Sequence, residues 1–439
     1  MMLLGVAAFA LLPLQAQPEP PQPMPEQIDL KTAIGFALKN NFAIRQAQER
    51  IRQQEGVVTE VKASQIPNVG AGAAYQRNSE SISQTAPASG SMWSLNVTAS
   101  QALFAGGGIR SAVRSSEFSR DAAILDLKSV INEALLTVRV SFYNVLLARE
   151  KIGVQEQNLA LLQQQLKNAS DRFQAGTVSG FEKLRAEVAV ANAQVPLITA
   201  RNDYRLAIES LRQALGSTAS TDTPENLRKN PEIIGTLDIT PTSYDLQSAF
   251  QSAHNNLPDL QRLGRLVSAR EELITTARSN YYPDLALVGG WESRKGATNR
   301  FGDSRDGVFV GLQSQWAIFD GRATAGRVAQ AKSLLSQTKL LFTEAQLAAE
   351  IEVRRAYSSF QQATELVDAS GKVVAQAEES VRLATARYEA GTATQLDVLQ
   401  AQVDLTTARL NQLQANYGYN VAVAGLRKAM GLTDDLVAQ

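Results

Sequence analysis

The chain contains no cysteine and a single histidine, His254, in 439 residues. The absence of cysteine excludes disulfides, thiolate chemistry and lipid attachment through Cys, and it removes most soft-metal sites. Neither sign of charge is in excess, since 43 Lys and Arg residues balance 43 Asp and Glu residues. A broad electrostatic surface for nucleic acid is therefore not expected. A cofactor or a metal centre is not expected either. His254 is expected on the surface of a helix.

Long apolar runs are scarce beyond the N-terminus. Residues 1–16 are largely apolar and residues 17–27 are rich in proline, a pattern typical of a signal peptide followed by an extended linker. The usual basic residues before the apolar run are missing, so a buried N-terminal helix is the alternative. No other stretch approaches the ~18 continuous apolar residues of a membrane-spanning helix. If the exported protein crosses a membrane, strands must do so.

An apolar residue returns at every seventh position in the first half of the chain. These positions are Ile124, Ile131, Val138, Val145, Ile152, Leu159, Leu166 and Phe173. No proline interrupts residues 110–173, which predicts a helix of roughly 96 Å at about 1.5 Å per residue. A strict seven-residue repeat keeps its seam against a partner only when helices coil around each other. Adding 215 to the last six positions again gives apolar residues, so the long-helix unit is duplicated.

The duplication predicts a first repeat at residues 28–216, a connector at 217–244, a second repeat at 245–431 and a tail at 432–439. Each repeat opens with a helical segment that is interrupted at paired asparagines and closed by Pro67 or Pro283. Beyond each proline the apolar period changes from helical to two, which predicts β-hairpins at residues 68–104 and 284–319.

Two helices joined by a tight turn are expected after each hairpin. The long helices are predicted at residues 110–173 and 323–388, the tip turns at 174–178 and 389–393, and the return helices at 179–216 and 394–431. Pro196 predicts a kink or break in the first return helix only, because Asn411 stands at its place in the second.

Aromatic residues of the hairpins lie in phase with the apolar faces of the predicted strands. They are Tyr75, Trp93, Trp291 and Trp316. Aromatics on an apolar face opposite a polar one are typical of the membrane interfaces of a β-barrel, although a half-buried soluble sheet is the alternative. Four strands cannot close a barrel, and an open edge in lipid leaves backbone groups unpaired. Two or more chains must therefore share one barrel.

Several motifs recur in both copies: the strand-to-helix junctions Phe104-Ala105-Gly106-Gly107 and Phe319-Asp320-Gly321, and paired Arg-aromatic-x-Ala-Gly-Thr turns. With the segment RYEAGTATQLDVL from Arg387 to Leu399, the whole mature chain resembles the TolC-like outer-membrane efflux factors. The resemblance implies a mostly α fold with a membrane β-barrel. A long coiled-coil α-helical tunnel and four β-strands per chain are expected, with a 12-stranded barrel shared in a homotrimer.

The resemblance also implies a function without chemistry. The chain is expected to be a passive duct in the outer membrane of a Gram-negative bacterium, with a large periplasmic part and outer-membrane lipid around its barrel. Cargo would arrive from a periplasmic adaptor and an inner-membrane pump, in a tripartite efflux or type I secretion system. Drug, metal and protein cargo stay open, because the pump chooses the cargo.

The resemblance places functional residues at the tips. Adaptor hairpins are expected to meet Ala175-Gly176-Thr177 and Ala390-Gly391-Thr392, which can also be ordinary helix C-caps. Asp397 matches one of two entrance aspartates of the family, where a ring of carboxylates selects cations. Gln400 replaces the second aspartate and Ala393 replaces a gate-linking arginine, which weakens a charge-locked gate. Glu182 matches an acid near the first tip, and a solvated helix residue is the alternative for each acid.

No catalytic motif is present in the sequence, and an enzyme is not expected. Gly106-Gly107-Gly108 lacks the lysine and the spacing of a phosphate-binding loop. The main alternative to a duct is a periplasmic coiled-coil adaptor or structural protein without a pore, in which the hairpins form a small soluble β domain.

Overall fold

The computed structural model describes residues 23–77, 91–217, 231–296 and 300–436. The predicted signal peptide and residues 17–22 of the predicted linker lie outside these residues. So do residues 78–90 and 297–299 of the predicted hairpins, residues 218–230 of the connector and residues 437–439 of the tail. The described helices are α1 (Leu30–Asn40), α2 (Phe42–Ala63), α3 (Gly108–Gln174), α4 (Gly180–Leu215), α5 (Leu246–Asn256), α6 (Pro258–Ser279), α7 (Ala323–Glu389) and α8 (Gln395–Ala429). The described strands are β1 (Gln27–Ile28), β2 (Asn68–Arg77), β3 (Ser91–Ala105), β4 (Glu232–Ile233), β5 (Asp284–Lys295) and β6 (Ser304–Gln315).

The two repeats begin in the same way. Asp29 and Asp245 cap α1 and α5, because each carboxylate accepts a hydrogen bond from a backbone N–H in the first turn. Asn41 then separates α1 from α2, whereas Leu257, directly after Asn255 and Asn256, separates α5 from α6. Gly216, at the end of α4, packs on the first break so closely that a Cβ there would lie 2.5 Å from the carbonyl oxygen of Asn40. Each return helix therefore ends against the break in its own repeat.

The long helices α3 and α7 contain 67 residues each, about 100 Å at about 1.5 Å per residue. The predicted break at Pro196 is wrong, because α4 continues from Gly180 to Leu215 with Pro196 inside it. Buried contacts of Ala193, Leu197 and Ala200 around the proline hold the helix together despite the missing N–H.

One helix of the described residues, α3, is long and apolar enough on average to cross a membrane. Its apolar residues do not form a continuous run, because polar and charged residues such as Arg139 interrupt them. Packing of α3 against α2, α4, α6 and α8 accounts for its apolar composition.

The helices form two layers of neighbours along the length of α3 and α7. Towards the sheet, α3 packs between α2 and α6, and α6 packs against α7. Towards the tips, α3 packs between α4 and α8, and α8 packs against α7. The two largest apolar clusters lie where these layers meet, one around Phe142 with α1 and the other around Phe360 with α5.

The connector between the repeats is not wholly irregular. Its β4 pairs in parallel with β1, and Ile28 and Ile233 of this pair are buried in the cluster around Phe142. Arg149 of α3 donates hydrogen bonds to the carbonyl oxygens of Ile233 and Gly235 at 2.7 and 2.6 Å. The start of the first repeat and the connector are thereby held against α3.

The hairpins join into one antiparallel sheet with the strand order β2-β3-β5-β6. The register places Tyr75 opposite Trp93, and Val97 opposite Trp291. Because side chains alternate along a strand, these residues share one face, and Asn96 with Glu292 lies on the other. β6 ends at Gln315, whereas the predicted hairpin extends to residue 319.

Candidate functional site at the helical tips and the sheet

Both tip turns have the hydrogen bonding of a Schellman motif. The N–H of Thr177 donates to the carbonyl oxygen of Arg172 at 3.0 Å, and the N–H of Gly176 donates to that of Phe173 at 3.0 Å. Thr392 and Gly391 make the equivalent bonds at 2.8 and 3.0 Å. Thr177 and Thr392 add a bond from the hydroxyl to the same arginine carbonyl. The turns therefore satisfy the last carbonyls of α3 and α7.

The turn glycines are required by conformation and stand in open space. Gly176 and Gly391 have φ of 73° and 74°, in the left-handed region that favours glycine. Apart from the glycine and its two chain neighbours, no heavy atom of the described residues lies within 4 Å of the position a Cβ would take at either glycine. Each tip therefore presents backbone that another molecule can approach.

Asp397 is the N3 residue of a capping box at the start of α8. Its carboxylate accepts hydrogen bonds from the Thr394 N–H at 2.7 Å and the Thr394 hydroxyl at 2.8 Å. These bonds lower the pKa of Asp397 below its ordinary value, and the charge of Arg387 adds to the shift. Asp397 is therefore ionised at neutral pH and bonded to the helix terminus, while its side chain stays exposed to solvent. Its role as a selectivity residue stays a prediction.

Glu182 stands at the equivalent position of the first repeat but does not complete the same motif. Its N–H donates to the Ser179 hydroxyl at 3.4 Å, as in a capped helix. Its carboxylate oxygen Oε2 is enclosed and makes no hydrogen bond within the described residues. Glu182 and Asp397 therefore occupy the same position at the start of their helices, but only the Asp397 carboxylate bonds back to the N-cap residue.

Gln400 is bonded along its own helix. Its Nε2 donates to Asp404 Oδ1 at 3.0 Å. Asp404 is exposed and lies seven residues after Asp397, so the two carboxylates share one face of α8. Asp404, which the sequence analysis did not single out, lies one turn further from the tip than position 400.

One contact joins the two tips directly. The guanidinium of Arg172, at the end of α3, lies 5.1 Å from the ring centroid of Tyr388, at the end of α7. A second cation, the ammonium of Lys183, lies 5.8 Å from the ring centroid of Phe173. Arg172 and Phe173 match Arg387 and Tyr388 of the second repeat, so each tip carries an arginine followed by an aromatic residue.

Trp93 and Trp316 mark two levels of the sheet. Tyr75 is opposite Trp93, whereas Trp291 is opposite Val97 and so lies four residues from the Trp93 level towards the helical end. Trp93 lies near the loop end, where its indole N–H donates to the Phe301 carbonyl at 3.0 Å. Trp316 lies at the helical end, where its N–H donates to the Tyr281 carbonyl at 3.2 Å. The register separates these levels by about 12 residues, or roughly 40 Å along a strand and about 30 Å after a tilt of about 40°. This spacing fits an apolar band with an aromatic belt at each interface.

A family model described as outer membrane efflux protein matches residues 33–217 and 249–432. The chain belongs to the outer membrane efflux protein family. The two matched ranges are the two repeats, and the match confirms the resemblance, the outer-membrane location and the role of channel component in efflux or secretion systems. The family consists of channel proteins and not of enzymes.

Individual proteins of this family and fold match most of the chain. CyaE of Bordetella pertussis is 24% identical, over 89% of this chain and 81% of its own length. The cobalt-zinc-cadmium resistance protein CzcC of Cupriavidus metallidurans is 26% identical, over 88% of this chain and 86% of its own. The CmeC outer membrane channel of Campylobacter jejuni superimposes with a TM-score of 0.79 at 17% identity, over 93% of this chain and 88% of that one. The fold of a TolC-like channel is thereby confirmed.

Proposed function

We propose that three copies of this chain form one homotrimeric duct, which carries cargo passively from an adaptor and an inner-membrane pump through the outer membrane. The observation that carries this proposal is the strand order β2-β3-β5-β6. Within the described residues, β2 and β6 each have one strand neighbour and one free edge. A free edge in lipid is costly because its backbone groups find no water, so the edges must be paired by further copies.

Three copies give twelve strands, an even number within the range of bacterial barrels. β2 and β6 run in opposite directions, because each strand of the sheet is antiparallel to its neighbour. β6 of one copy can therefore pair with β2 of the next in the same antiparallel manner. Such a head-to-tail contact closes into a ring.

The layer of helices near the tips also has two outer members without a neighbour on one side, as the sheet has. Towards the tips, α4 and α7 are the outer helices of the layer α4-α3-α8-α7. Both expose large apolar residues that a lone chain leaves in water: on α4 Val195, Ile198 and Leu206 are 57 to 66% exposed, and on the tip half of α7 Leu366 and Val373 are 51% and 50% exposed. Contact between α7 of one copy and α4 of the next would cover these surfaces.

The tips are the proposed contact surface for the adaptor. Ala175-Gly176-Thr177 and Ala390-Gly391-Thr392 lie at the ends of the long helices, and open space surrounds both glycines. Asp397 is the proposed selectivity residue, because an ionised carboxylate in each copy would form an acidic ring. Glu182 is a proposed second contributor, and Gln400 holds Asp404 in place on the same helix. Tyr75, Trp93, Trp291 and Trp316 are the proposed lipid-interface residues.

The test is reconstitution of the purified protein in a planar bilayer. A duct is expected to be extracted only by detergent, to migrate as a heat-modifiable oligomer and to give a stable ionic current. A soluble monomer without current would contradict the proposal. A protein that washes off membranes would instead support the adaptor-type alternative.

A further inference from the structure

The polar face of the sheet carries two positive charges side by side at its loop end. Glu292 of β5 lies on this face, opposite Gly307 of β6. Two residues further towards the loops, Arg294 of β5 lies between Ser94 of β3 and Arg305 of β6. Because side chains alternate along a strand, Arg294 and Arg305 both project from the polar face. Two arginines are therefore direct cross-strand neighbours.

This pair of arginines is uncompensated within the sheet. Like charges directly opposite on neighbouring strands are destabilising. Both side chains are exposed, and within the described residues no hydrogen bond or ion pair joins either guanidinium to another residue. Glu292, the nearest acid on the described part of this face, supplies one negative charge against two positive charges. The polar face therefore keeps an excess of positive charge at its loop end.

The strand register, and not the local composition, creates this excess. Four basic residues in the range 291–306 stand against three acidic ones: Arg294, Lys295, Arg300 and Arg305 against Glu292, Asp303 and Asp306. Asp306 lies opposite Ser293, on the face of Trp291 and away from the arginines. The carboxylate of Asp303 lies against Gly296, beyond the row of the arginines. Two of the three acids are thus kept from the polar face.

The pair lies at the outer mouth of the proposed duct. Arg294 is opposite Ser94, the residue after Trp93, so it stands at the aromatic level near the loops. In a membrane barrel the apolar face meets lipid and the polar face meets the lumen. The neighbouring residues on the polar face are small, with Ala74 opposite Ser94 and Gly307 next to Arg305 on the same face. A molecule in the lumen can therefore approach both guanidiniums.

We propose that Arg294 and Arg305 form an anion-binding site in the lumen, which takes the phosphate, sulfonate or carboxylate group of cargo leaving the duct. Directly opposite residues have Cα atoms about 4.5 to 5.5 Å apart, so both guanidiniums can reach one oxyanion. Each can donate two parallel hydrogen bonds to it. Binding replaces the repulsion between the arginines by attraction to a shared anion. This inference rests on the proposed duct and names anionic groups as its cargo chemistry.

The acidic ring proposed at Asp397 does not cancel this site. The long helix α7 alone separates the tips from the sheet by about 100 Å at about 1.5 Å per residue. Exposed charges at physiological ionic strength are largely screened beyond about 8 Å. The carboxylates of the entrance and the arginines of the mouth therefore act on cargo independently.

Thermal unfolding of the purified protein in detergent measures the site without requiring transport. Millimolar inorganic phosphate, compared with chloride at equal ionic strength and neutral pH, is expected to raise the unfolding midpoint until the site is saturated, because a ligand of the folded state stabilises it. Arg294→Gln with Arg305→Gln is expected to remove this rise. The matched control Arg77→Gln with Arg300→Gln removes two cations of the loop end that are not on the polar face, and should keep the rise.

Arg305→Glu supplies the missing acid from the sheet itself. Its carboxylate lies opposite Arg294, so a repulsive cross-strand pair becomes an attractive one. This variant is expected to unfold at a higher temperature than the unaltered protein in chloride and to lose the response to phosphate. A midpoint in chloride no higher than that of the unaltered protein would count against the inference, because the two arginines would then not repel each other.

Phenyl phosphate separates cargo from free inorganic anions, because one of its oxygens carries an organic group. Phenyl phosphate and inorganic phosphate are expected to give similar rises, and a response to inorganic phosphate alone would overturn the role in cargo binding. An equal response of all variants, or none in the unaltered protein, would overturn the site itself. Planar-bilayer current tests the duct separately. Current without a phosphate response would overturn only this inference, whereas a phosphate response without current would overturn the proposed function.

Discussion

An ion pair between the first repeat and the tail after the second repeat provides the most direct test of how the chain is held together. Arg139 of α3 makes two hydrogen bonds to Asp434, in the segment after α8, at 3.0 and 2.6 Å. The two side chains are 17% and 11% exposed, and the pair joins residues 295 positions apart. Its two parallel bonds fix the tail that follows α8 against the long helix of the first repeat.

Asp434→Leu is expected to destabilise the protein by about 2 to 4 kcal/mol, because the arginine is left largely out of water without its partner. Arg139→Met should cost a similar amount, by leaving the carboxylate unpaired. The double variant Arg139→Met with Asp434→Leu should recover most of the loss, because it leaves neither charge buried. Thermal unfolding in detergent, followed by circular dichroism at one fixed subunit concentration, measures the three changes.

A matched surface pair supplies the control. Lys372 and Asp368 form an ion pair at 2.6 Å in which both side chains are 71% exposed. Asp368→Ala should change stability by less than about 1 kcal/mol, since water screens the charges. A loss at Asp434 no larger than at Asp368, or a double variant whose loss equals the sum of the single losses, would refute the reasoning.

Three further predictions concern the entrance and the sheet. Asp397→Asn should reduce cation preference in planar-bilayer recordings. In the unaltered protein, this contribution to cation preference should persist at acidic pH and fall only below the ordinary carboxyl value of 3.8, because the lowered pKa keeps the carboxylate charged. Gly391→Asn and Gly391→Val should both abolish pump-coupled efflux while trimer and export stay normal, because each adds bulk where an adaptor would approach. Val310→Arg places a charge on the proposed lipid face, which should destabilise the assembled barrel by about 2 to 4 kcal/mol. The measurement is the loss of the heat-modifiable oligomer from the outer membrane.

Each of these predictions has a matched comparison. Asn at position 397 can still accept a hydrogen bond from Thr394, so unchanged selectivity would remove Asp397 from the acidic ring without implicating the fold. Asn tolerates the left-handed conformation better than Val, so efflux retained only in Gly391→Asn would identify the glycine as a helix cap and nothing more. Gln313→Arg lies on the opposite face of β6 and should assemble normally. Equal damage from Gln313→Arg and Val310→Arg would argue against lipid on one face and water on the other.

The Asp397 carboxylate also links stability to pH with a definite sign. Its pKa is lower in the folded protein than its ordinary value, so its contribution to the start of α8 is fully present above that value. As the pH falls through the lowered pKa, protonation weakens the bonds from Thr394 and the contribution is lost. Asp397→Asn should remove this part of the acid sensitivity of the tip.

The capping role of Asp397 was accessible from sequence and was missed. Thr394 followed three residues later by Asp397 is a capping-box pattern at a helix start. The resemblance predicts a charged ring at this position and carries no information about the local cap. Ser179 and Glu182 carry the same pattern in the first repeat, yet only the second repeat forms both bonds, because the Glu182 carboxylate is enclosed elsewhere.

The sequence alone determined the features that depend on residues close together in the chain, which are the helices, the strands and the turns. The signals that predicted the helices, the strands and the tip turns each act over a few residues. They are the seven-residue periodicity, the change to period two after Pro67 and Pro283, and the glycine at each left-handed turn. The repeat follows because the same signals recur in the second half of the sequence. Pro196 shows the limit of such local rules, since burial of the residues around it keeps α4 unbroken.

Only the tertiary structure decided which distant residues meet. The pairing of β3 with β5, the placement of Arg172 over Tyr388 and the bond between Arg139 and Asp434 join residues about 200 or more positions apart. No periodicity encodes these choices, because they depend on how two equivalent halves pack side by side. That packing also leaves β2 and β6 as the free edges, and from those edges the chain is inferred to become part of a larger ring.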